Sequence, residues 1–200
     1  MNEHFNKHLE ELKKTVYHEP KFAYHEKMID SAMGHFVKNG SFTNALDVGF
    51  GTGHSLLKFK ELGIKATGIT LDEGEYKDAH FLGYDVRLMD MNFLDFEDGS
   101  FDLVWCRHAL EHSVMPLIAL MEFKRVLGKV GFLYVEVPSH MIHLENANHY
   151  SMFTDEAWQA LFRKAGFKLL FRCQQVVTIV ANGNSQGYTD IYPQYWMRKE

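Results

Sequence analysis

The chain has 200 residues, of which 46% are hydrophobic and 24% are charged. A chain of this size can bury a single core without a disulfide framework or a structural metal. Its net charge of −5 has the wrong sign for a protein whose main task is to bind nucleic-acid phosphates. Nucleic acid is therefore not an expected partner.

The termini and cysteines give no sign of export or membrane insertion. No apolar run reaches the roughly 18 residues of a membrane span, and the N-terminus lacks the apolar core of a signal peptide. Cys106 and Cys173 do not form a CxxC pair, and Cys106 lies in an apolar run typical of a buried thiol. We expect a cytoplasmic protein with no membrane partner; the oligomeric state leaves no mark in the sequence.

The elements fall into a helical cap at residues 1–40 and a main part at residues 41–200, which together form a single structural domain. Apolar residues recur at helical spacing in the cap, with a break near Pro20. The predicted strands are 45–49, 65–70, 85–90, 101–107, 132–137, 168–175 and 194–198, and the predicted helices are 54–62, 73–82, 116–127 and 154–165. Apolar strands that alternate with helices predict a parallel sheet with its ligand site at the carboxyl ends of the strands.

A glycine-rich turn follows the first predicted strand. Gly49, Gly51 and Gly53 have GxGxG spacing, which differs from the GxGxxG of dinucleotide-binding folds, and the absence of GK[ST] excludes a P-loop. Asp47 before the turn favours a cationic ligand group over a pyrophosphate. The alternative is a tight strand-to-helix turn that binds nothing.

Several segments resemble, in order, the motifs of class I S-adenosylmethionine-dependent methyltransferases of the small-molecule branch. Asp47-Val-Gly-Phe-Gly-Thr-Gly53 resembles motif I, and the later matches are residues 94–104, 108–112, 125–131 and 153–167. The resemblance covers about residues 42–172. It implies an α/β, Rossmann-like, doubly wound sheet of seven strands, mostly parallel with the last strand antiparallel. The apolar spacing of residues 1–40 adds an N-terminal helical extension to this sheet. It also implies S-adenosyl-L-methionine as the cofactor.

The resemblance also implies a set of cofactor-binding residues: Asp47, Gly49, Phe50, Gly51, Gly53, Thr70, Leu71, Asp72, Asp90, Met91, Arg107 and His108. Asp47 would face the methionine amino group, whereas Asp90 and Met91 would border the adenine. Thr70 stands where the family has a ribose-binding acid, so either Asp72 reaches back or Thr70 and nearby backbone hold the ribose. The structural alternatives are a loop anchor for Asp47 and a strand-end cap for Asp90.

Twelve histidines are an unusually large number for this length. His108, His112 and His149 are candidate general bases, because they follow predicted strands at the carboxyl edge and imidazole titrates near neutral pH. The alternative roles are packing for His112, lining of the cofactor pocket for His108, and capping or packing of the loop for His149. His140 and His143, with Glu145, lack a recognised zinc spacing, so no metal site is predicted. Five further histidines are expected on N-terminal helices that could cover the site: His4, His8, His18, His25 and His35.

The predicted function is methyl transfer from S-adenosylmethionine to a small-molecule acceptor, at oxygen, with nitrogen and carbon as the next acceptor atoms. Residues 1–40 and about 139–153 would form the acceptor pocket. The chain has no Pro-Pro or Pro-Cys dipeptide, which argues against enzymes that methylate nucleic-acid amino groups or cytosine C5. Two alternatives stay open: a non-catalytic S-adenosylmethionine-binding module, and carbon methylation of a lipid-like substrate, which the sequence Gly68-Ile-Thr-Leu71 suggests.

Overall fold

The computed structural model describes residues 3–13, 23–38, 40–139, 146–179 and 188–200. Its strands are β1 (Asn44–Val48), β2 (Lys65–Thr70), β3 (Asp85–Leu88), β4 (Phe101–Arg107), β5 (Leu127–Glu136), β6 (Phe167–Ile179) and β7 (Tyr188–Lys199). Its α-helices are α1 (Glu3–Lys13), α2 (Ala23–Phe36), α3 (His54–Glu61), α4 (Glu73–Phe81), α5 (Pro116–Val126) and α6 (Asp155–Ala165). A short 3-10 helix at Leu110–His112, which the sequence patterns do not predict, follows β4.

The seven strands form one sheet in the order β3-β2-β1-β4-β5-β7-β6. The pairs from β3 to β5 are parallel, whereas β7 is antiparallel to both β5 and β6. This arrangement confirms the predicted doubly wound α/β sheet with its last strand antiparallel. Strands β1 and β4 lie in the middle of the sheet, and their residues are almost all buried because helices cover both faces.

Alternate residues of β4 point to opposite faces of the sheet and join two separate cores. Leu103 and Trp105 pack with α2 and α3 in one core, whereas Val104 and Cys106 pack with α5 and α6 in the other. Cys106 is a free, fully buried thiol whose pKa burial raises well above its usual value. It therefore packs as a small hydrophobic residue, as the sequence predicts.

Three predicted strand boundaries are wrong. β5 begins at Leu127 rather than at residue 132, because α5 passes directly into a strand whose first residue pairs with Phe101. β6 and β7 are much longer than the predicted strands 168–175 and 194–198. Among the missed residues, 176–179 and 188–191 pair with each other, so their strand conformation depends on a partner segment and not on local pattern alone.

Helix α2 is fixed to the sheet and directs its N-terminal end toward the end of β4. His54 Nε2 at the start of α3 lies 2.8 Å from Asp30 Oδ1 of α2. The Gln175 side chain of β6 donates to the Met28 carbonyl oxygen at 3.1 Å. Among the described helices, none is both long enough and apolar enough to cross a membrane.

Candidate functional site

The parallel register brings the predicted cofactor-binding residues to one edge of the sheet. Val48 aligns with Ile69 on one side and with Cys106 on the other. Arg107 aligns with Glu136 at the end of β5. The residues that follow these strand ends therefore surround a common region at the carboxyl edge.

The glycine loop at the end of β1 needs its glycines for two different reasons. Gly49, Gly51 and Gly53 have φ values of 69°, 53° and 83°, in the left-handed region that side chains disfavour. A Cβ at Gly49 would also lie 2.7 Å from the Ala109 Cβ, whereas at Gly51 and Gly53 it would meet no atom within 4 Å. The backbone at Gly51 and Gly53 thus faces open space at the start of α3, where a ligand can approach the main chain.

Phe50 occupies the inner side of this loop. Its side chain is buried in a small core with Leu56, Ala79 and Val86. The ring lies over Gly68 of β2, where a Cβ would be 2.6 Å from the nearest ring carbon. Only the backbone of Phe50 therefore borders the open side of the loop.

Asp47 is a buried carboxyl group directly before the loop. Its side chain is 1% exposed and accepts a hydrogen bond from Ser55 Oγ at 2.5 Å. Burial raises the pKa of Asp47 to about 7, although the Ser55 hydrogen bond and the charge of Arg107 act in the opposite direction. Asp47 therefore gains or loses its proton near neutral pH.

The end of β2 carries a carboxylate that the sequence analysis did not select. Thr70 Oγ1 donates to Glu75 Oε2 at 2.7 Å and accepts from the Asp72 backbone N–H at 3.0 Å. The Asp72 side chain caps α4 by accepting from the Glu75 N–H at 2.8 Å. The acid whose side chain reaches back to Thr70 is thus Glu75. The spacing Asp72-x-x-Glu75, typical of a capping box at a helix N-terminus, could have indicated from the sequence that Glu75 lies near the end of β2. The side chain of Leu71, between Thr70 and Asp72 in the chain, is half-buried.

On the predicted adenine side, Asp90 stabilises a turn after β3. Its Oδ1 accepts from the backbone N–H and the side-chain amide of Asn92, at 2.9 and 2.8 Å. Asn92 Oδ1 in turn accepts from Ser113 Oγ at 2.8 Å. Met91 is half-buried and packs against the larger core. Hydrogen bonds therefore connect this turn to the segment after β4.

Glu136 at the end of β5 is the centre of a buried polar network. Its Oε1 lies 2.7 Å from Arg107 Nε and 3.0 Å from His108 Nε2, and its Oε2 accepts from Tyr134 and Gln194 at 2.7 and 2.6 Å. Burial alone would raise the pKa of Glu136. The charge of Arg107 and the hydrogen bond with His108 overcome this effect and lower the pKa to about 2. Glu136 is therefore ionised and fixes the orientation of the imidazole.

His108 is the only non-glycine residue with a positive φ, 50°, in the part of the chain that the structure describes. Its ring stacks on Tyr192 at 4.7 Å between centroids and lies 5.5 Å from the ring of His25. The Tyr192 hydroxyl donates to Asp190 at 2.8 Å. Burial is the largest cause that lowers the pKa of His25 to about 3, and the positive charge of Arg107 acts in the same direction, so His25 is neutral. The predicted base thus lies among aromatic rings from α2 and β7.

His112 and His149 form a second group, separate from the Glu136 network. Their ring centroids are 4.9 Å apart, and His112 Nδ1 lies 2.8 Å from the carbonyl oxygen of Asn148. Burial lowers the pKa of His112, although the Asn148 hydrogen bond opposes this effect. The buried carboxyl group of Glu111 belongs to the same group. The three predicted bases are therefore divided between two places.

The other histidines lie in several environments. His4 and His8 are exposed on α1, and His35 is exposed on α2 with its ring 5.7 Å from that of Phe171. Four residues named in the sequence analysis lie outside the described residues: His18, His140, His143 and Glu145.

Comparison with known sequences finds similarity to methyltransferases in the central part of the chain. A family model described as a methyltransferase domain matches residues 46–135. The uncharacterized methyltransferase YcgJ of Bacillus subtilis is 28% identical over 136 residues, and the 2-methyl-6-phytyl-1,4-hydroquinone methyltransferase of Synechocystis is 37% identical over 99 residues. These alignments cover 58% and 46% of this chain but only 54% and 31% of the relatives.

Solved structures share the fold at low sequence identity. The chain matches YcgJ of Bacillus subtilis with a TM-score of 0.66 at 19% identity, covering 88% of this chain and 99% of that one. It matches an S-adenosylmethionine-dependent methyltransferase of Archaeoglobus fulgidus with a TM-score of 0.66 at 16% identity, covering 87% and 94%. It matches the [4+2]-cyclase SpnF with a TM-score of 0.70 at 19% identity, covering 92% and 84%. Residues 46–135 of this chain therefore resemble a methyltransferase domain, and the chain shares its fold with these solved structures.

Proposed function

We propose that the protein is an S-adenosylmethionine-dependent methyltransferase that acts on a small-molecule acceptor, with oxygen as the acceptor atom. One observation carries the proposal: an open glycine loop and a His108–Glu136 pair lie at the same edge of the sheet. The loop offers a cradle for the cofactor, and the imidazole offers a base for the acceptor proton.

The residues around the loop suit the cofactor in charge and in space. Asp47 would hold the methionine amino group, with the backbone of Phe50, Arg107 and His108 around the methionine. Thr70 and Glu75 would take the ribose hydroxyls, since Asp72 is already used to cap α4. Leu71, Asp90 and Met91 would border the adenine. The open space at Gly51 and Gly53 supports this assignment, because side chains there would obstruct a ligand.

The hydrogen bond with Glu136 decides which nitrogen of His108 can act as the base. A proton on Nε2 points to Glu136 Oε1, which leaves the lone pair on Nδ1. The negative charge of Glu136 also stabilises the imidazolium that forms when Nδ1 accepts a proton. His112 and His149 lie in the other group, so the proposal assigns the acceptor proton to His108 alone.

Bound S-adenosylmethionine would supply an activated methyl group, whose carbon–sulfur bond breaks with the electron pair left on sulfur while a bond forms to the acceptor oxygen. The protein then has to align the acceptor and remove its proton. Tyr192 and His25 beside His108 provide flat surfaces suited to a cyclic acceptor. This geometry favours an aromatic or ring-shaped alcohol within the small-molecule class.

Calorimetric titration with S-adenosylmethionine tests the cofactor part of the proposal. We expect Glu75→Ala to weaken binding by at least about tenfold, which corresponds to about 1.4 kcal/mol. Glu73→Ala is the matched control, because Glu73 lies on the same helix but pairs with Lys77 on the surface. Equal binding by both variants, or no binding by the wild type below millimolar concentration, would contradict the assignment.

An activity screen tests the acceptor part. The assay measures S-adenosylhomocysteine formation with phenols, sugars, carboxylates and amines. We expect His108→Asn, which tolerates a positive φ, to lower the rate about 10²-fold or more while S-adenosylmethionine affinity stays within about threefold. An unchanged rate would eliminate His108 as the base. Cofactor binding without turnover on any acceptor would instead favour the non-catalytic module.

Carbon methylation of a lipid-like ring is the second candidate. The supporting observations are the name of the Synechocystis relative, a hydroquinone methyltransferase, and the sequence Gly68-Ile-Thr-Leu71. Mass spectrometry of the product with a prenylated hydroquinone distinguishes the two, since a methyl group on carbon leaves both hydroxyl groups free for acetylation.

A further inference from the structure

A cluster of metal-type ligands lies around the segment after β4, apart from the Glu136 network. Glu111, His112 and His149 each offer one ligand atom, and these three atoms lie within 4.8 Å of one another. We propose that the three residues bind a divalent transition metal ion, with Zn²⁺ as the best match. This proposal revises the sequence-based expectation that the chain has no metal site.

Hydrogen bonds hold the two segments of the cluster together. The Ser151 backbone N–H donates to the Glu111 carbonyl oxygen at 3.0 Å, and Ser151 Oγ donates to the Ser113 carbonyl oxygen at 2.7 Å. His112 Nδ1 contacts the carbonyl oxygen of Asn148 at 2.8 Å. The loop that carries His149 is thereby fixed against the short helix that carries the other two ligands. A site fixed in this way loses little conformational entropy when it binds an ion.

The Asn148 contact also orients His112 as metal ligands usually are. A ring N–H that donates to a backbone carbonyl leaves the other nitrogen, here Nε2, with the lone pair for a metal. Glu111 is 1% exposed, so its carboxyl group lies on the inner side of the cluster. His112 and His149 are only half-buried, so an ion can reach the cluster from their side.

The ligand set selects the kind of metal. Two imidazoles and one carboxylate are the protein ligands of many catalytic zinc sites, in which a further position stays open. Mg²⁺ and Ca²⁺ prefer sites made of oxygen atoms alone. Tetrahedral coordination at about 2.0–2.2 Å would place the three donors roughly 3.4 Å apart, so each donor pair would close by at most about 1.4 Å on binding.

The position of the cluster indicates what a bound ion could do. The short helix begins directly after Ala109, whose Cβ packs against Gly49 of the glycine loop. An ion with an open position here could polarise an oxygen atom of a ligand bound at this edge of the sheet. This catalytic role rests on the proposed methyl transfer, whereas metal binding itself does not.

Metal titration of protein stripped with a chelator, without S-adenosylmethionine, tests the site. With Co²⁺ as a visible probe and Zn²⁺ as its competitor, we expect one ion per chain. Glu111→Gln and His149→Ala should each weaken binding at least about tenfold. His80→Ala should bind like the wild type, because His80 is exposed on α4 and stacks on Tyr76. Wild-type affinity in both cluster variants would overturn the site.

A measurement on the wild-type protein avoids any effect of the variants on folding. Zn²⁺ should protect His112 and His149 from acylation by diethyl pyrocarbonate, while the modification of His80 stays unchanged, as mapped by mass spectrometry. Equal modification of His112 and His149 with and without Zn²⁺ would also overturn the site. Neither the metal titration nor the acylation experiment requires turnover. Both therefore test metal binding even if the protein does not transfer methyl groups. Full activity in excess chelator would refute only the catalytic role of the ion.

Discussion

At the scale of single residues, Asp47 lowers the stability of the folded protein when it is ionised, and it is also a proposed cofactor ligand. Its carboxyl group is fully buried, and its pKa is raised from the usual 3.8 to about 7. The folded protein therefore keeps a proton that the unfolded chain releases between these two pH values. Consequently, the contribution of Asp47 makes the protein less stable as pH rises from 3.8 to 7.

Asp47→Asn should remove this pH-dependent cost. We expect the free energy of unfolding of the wild type, relative to that of the variant, to fall by about 2 kcal/mol between about pH 5.5 and about pH 7.5. Denaturant unfolding at both pH values measures the difference, and subtraction of the two proteins cancels the other titrating groups. Parallel pH curves for the two proteins would show that Asp47 is not the group that titrates.

The same substitution should affect the cofactor in the opposite direction. The amide side chain of the Asp47→Asn variant is neutral at every pH, so attraction to the methionine amino group would be lost. We expect S-adenosylmethionine to bind the variant at least about tenfold more weakly at about pH 8, where the wild-type carboxyl is ionised. Calorimetry at this pH gives the affinity. Equal affinity would leave Asp47 as a loop anchor, the structural alternative raised from the sequence.

At the scale of elements, helix α3 offers a controlled test of the glycine loop. Gly53 precedes the helix with φ 83° and Gly63 follows it with φ 72°, and a Cβ at either would meet no atom within 4 Å. Gly53→Ala and Gly63→Ala should therefore destabilise the protein by similar amounts, about 1–2 kcal/mol each. Thermal unfolding measures this cost.

Only the Gly53 variant should lose cofactor affinity. Its new methyl group would occupy the open side of the loop, whereas the methyl group at Gly63 would lie at the opposite end of α3. We expect binding of S-adenosylmethionine to weaken at least about tenfold in Gly53→Ala and to stay unchanged in Gly63→Ala. Equal affinities would place the cofactor away from this loop.

The elements also show where sequence patterns are informative. The Val-, Leu- and Phe-rich strands β1 and β4 are recognisable because both of their faces are buried. In contrast, Asp190 and Gln194 of β7 are buried polar residues with hydrogen bonds to Tyr192 and Glu136, respectively. Their strand is stabilised by tertiary partners, so no local pattern predicts its full length.

At the scale of the whole molecule, α2 is part of the core and not only a cover for the site. Ala32, Met33 and Val37 pack with Phe59, Leu103, Trp105 and Tyr134 in one apolar cluster. The predicted division at residue 40 therefore separates parts that share buried surface. We retain the proposal that the N-terminal end of α2 borders the acceptor pocket, since His25 lies beside His108.

Met33→Ala should destabilise the entire domain. Met33 is 2% exposed, and removal of its buried side chain should cost about 2–5 kcal/mol in one cooperative transition. Met121→Ala is the matched control, because Met121 is 54% exposed on α5 and should change stability by less than about 0.5 kcal/mol. A separate early transition in Met33→Ala would instead mean that α2 unfolds independently of the sheet.

The sequence by itself determined the order of strands and helices along the chain and the glycine loop, because each depends on residues that are close in the chain. The resemblance to methyltransferases implied the cofactor. Local periodicity reports burial, and GxGxG spacing reports a backbone turn. It also located the carboxyl edge, since parallel strands end there together.

Only the tertiary structure decided how the polar side chains combine at that edge. It joined His108 to Glu136 across β4 and β5, joined Thr70 to Glu75, and placed His149 beside Glu111 and His112. Hydrogen bonding and ligand geometry depend on distances of a few ångströms between segments that are far apart in sequence. No spacing along the chain fixes those distances; the register of the sheet and the packing of its loops do.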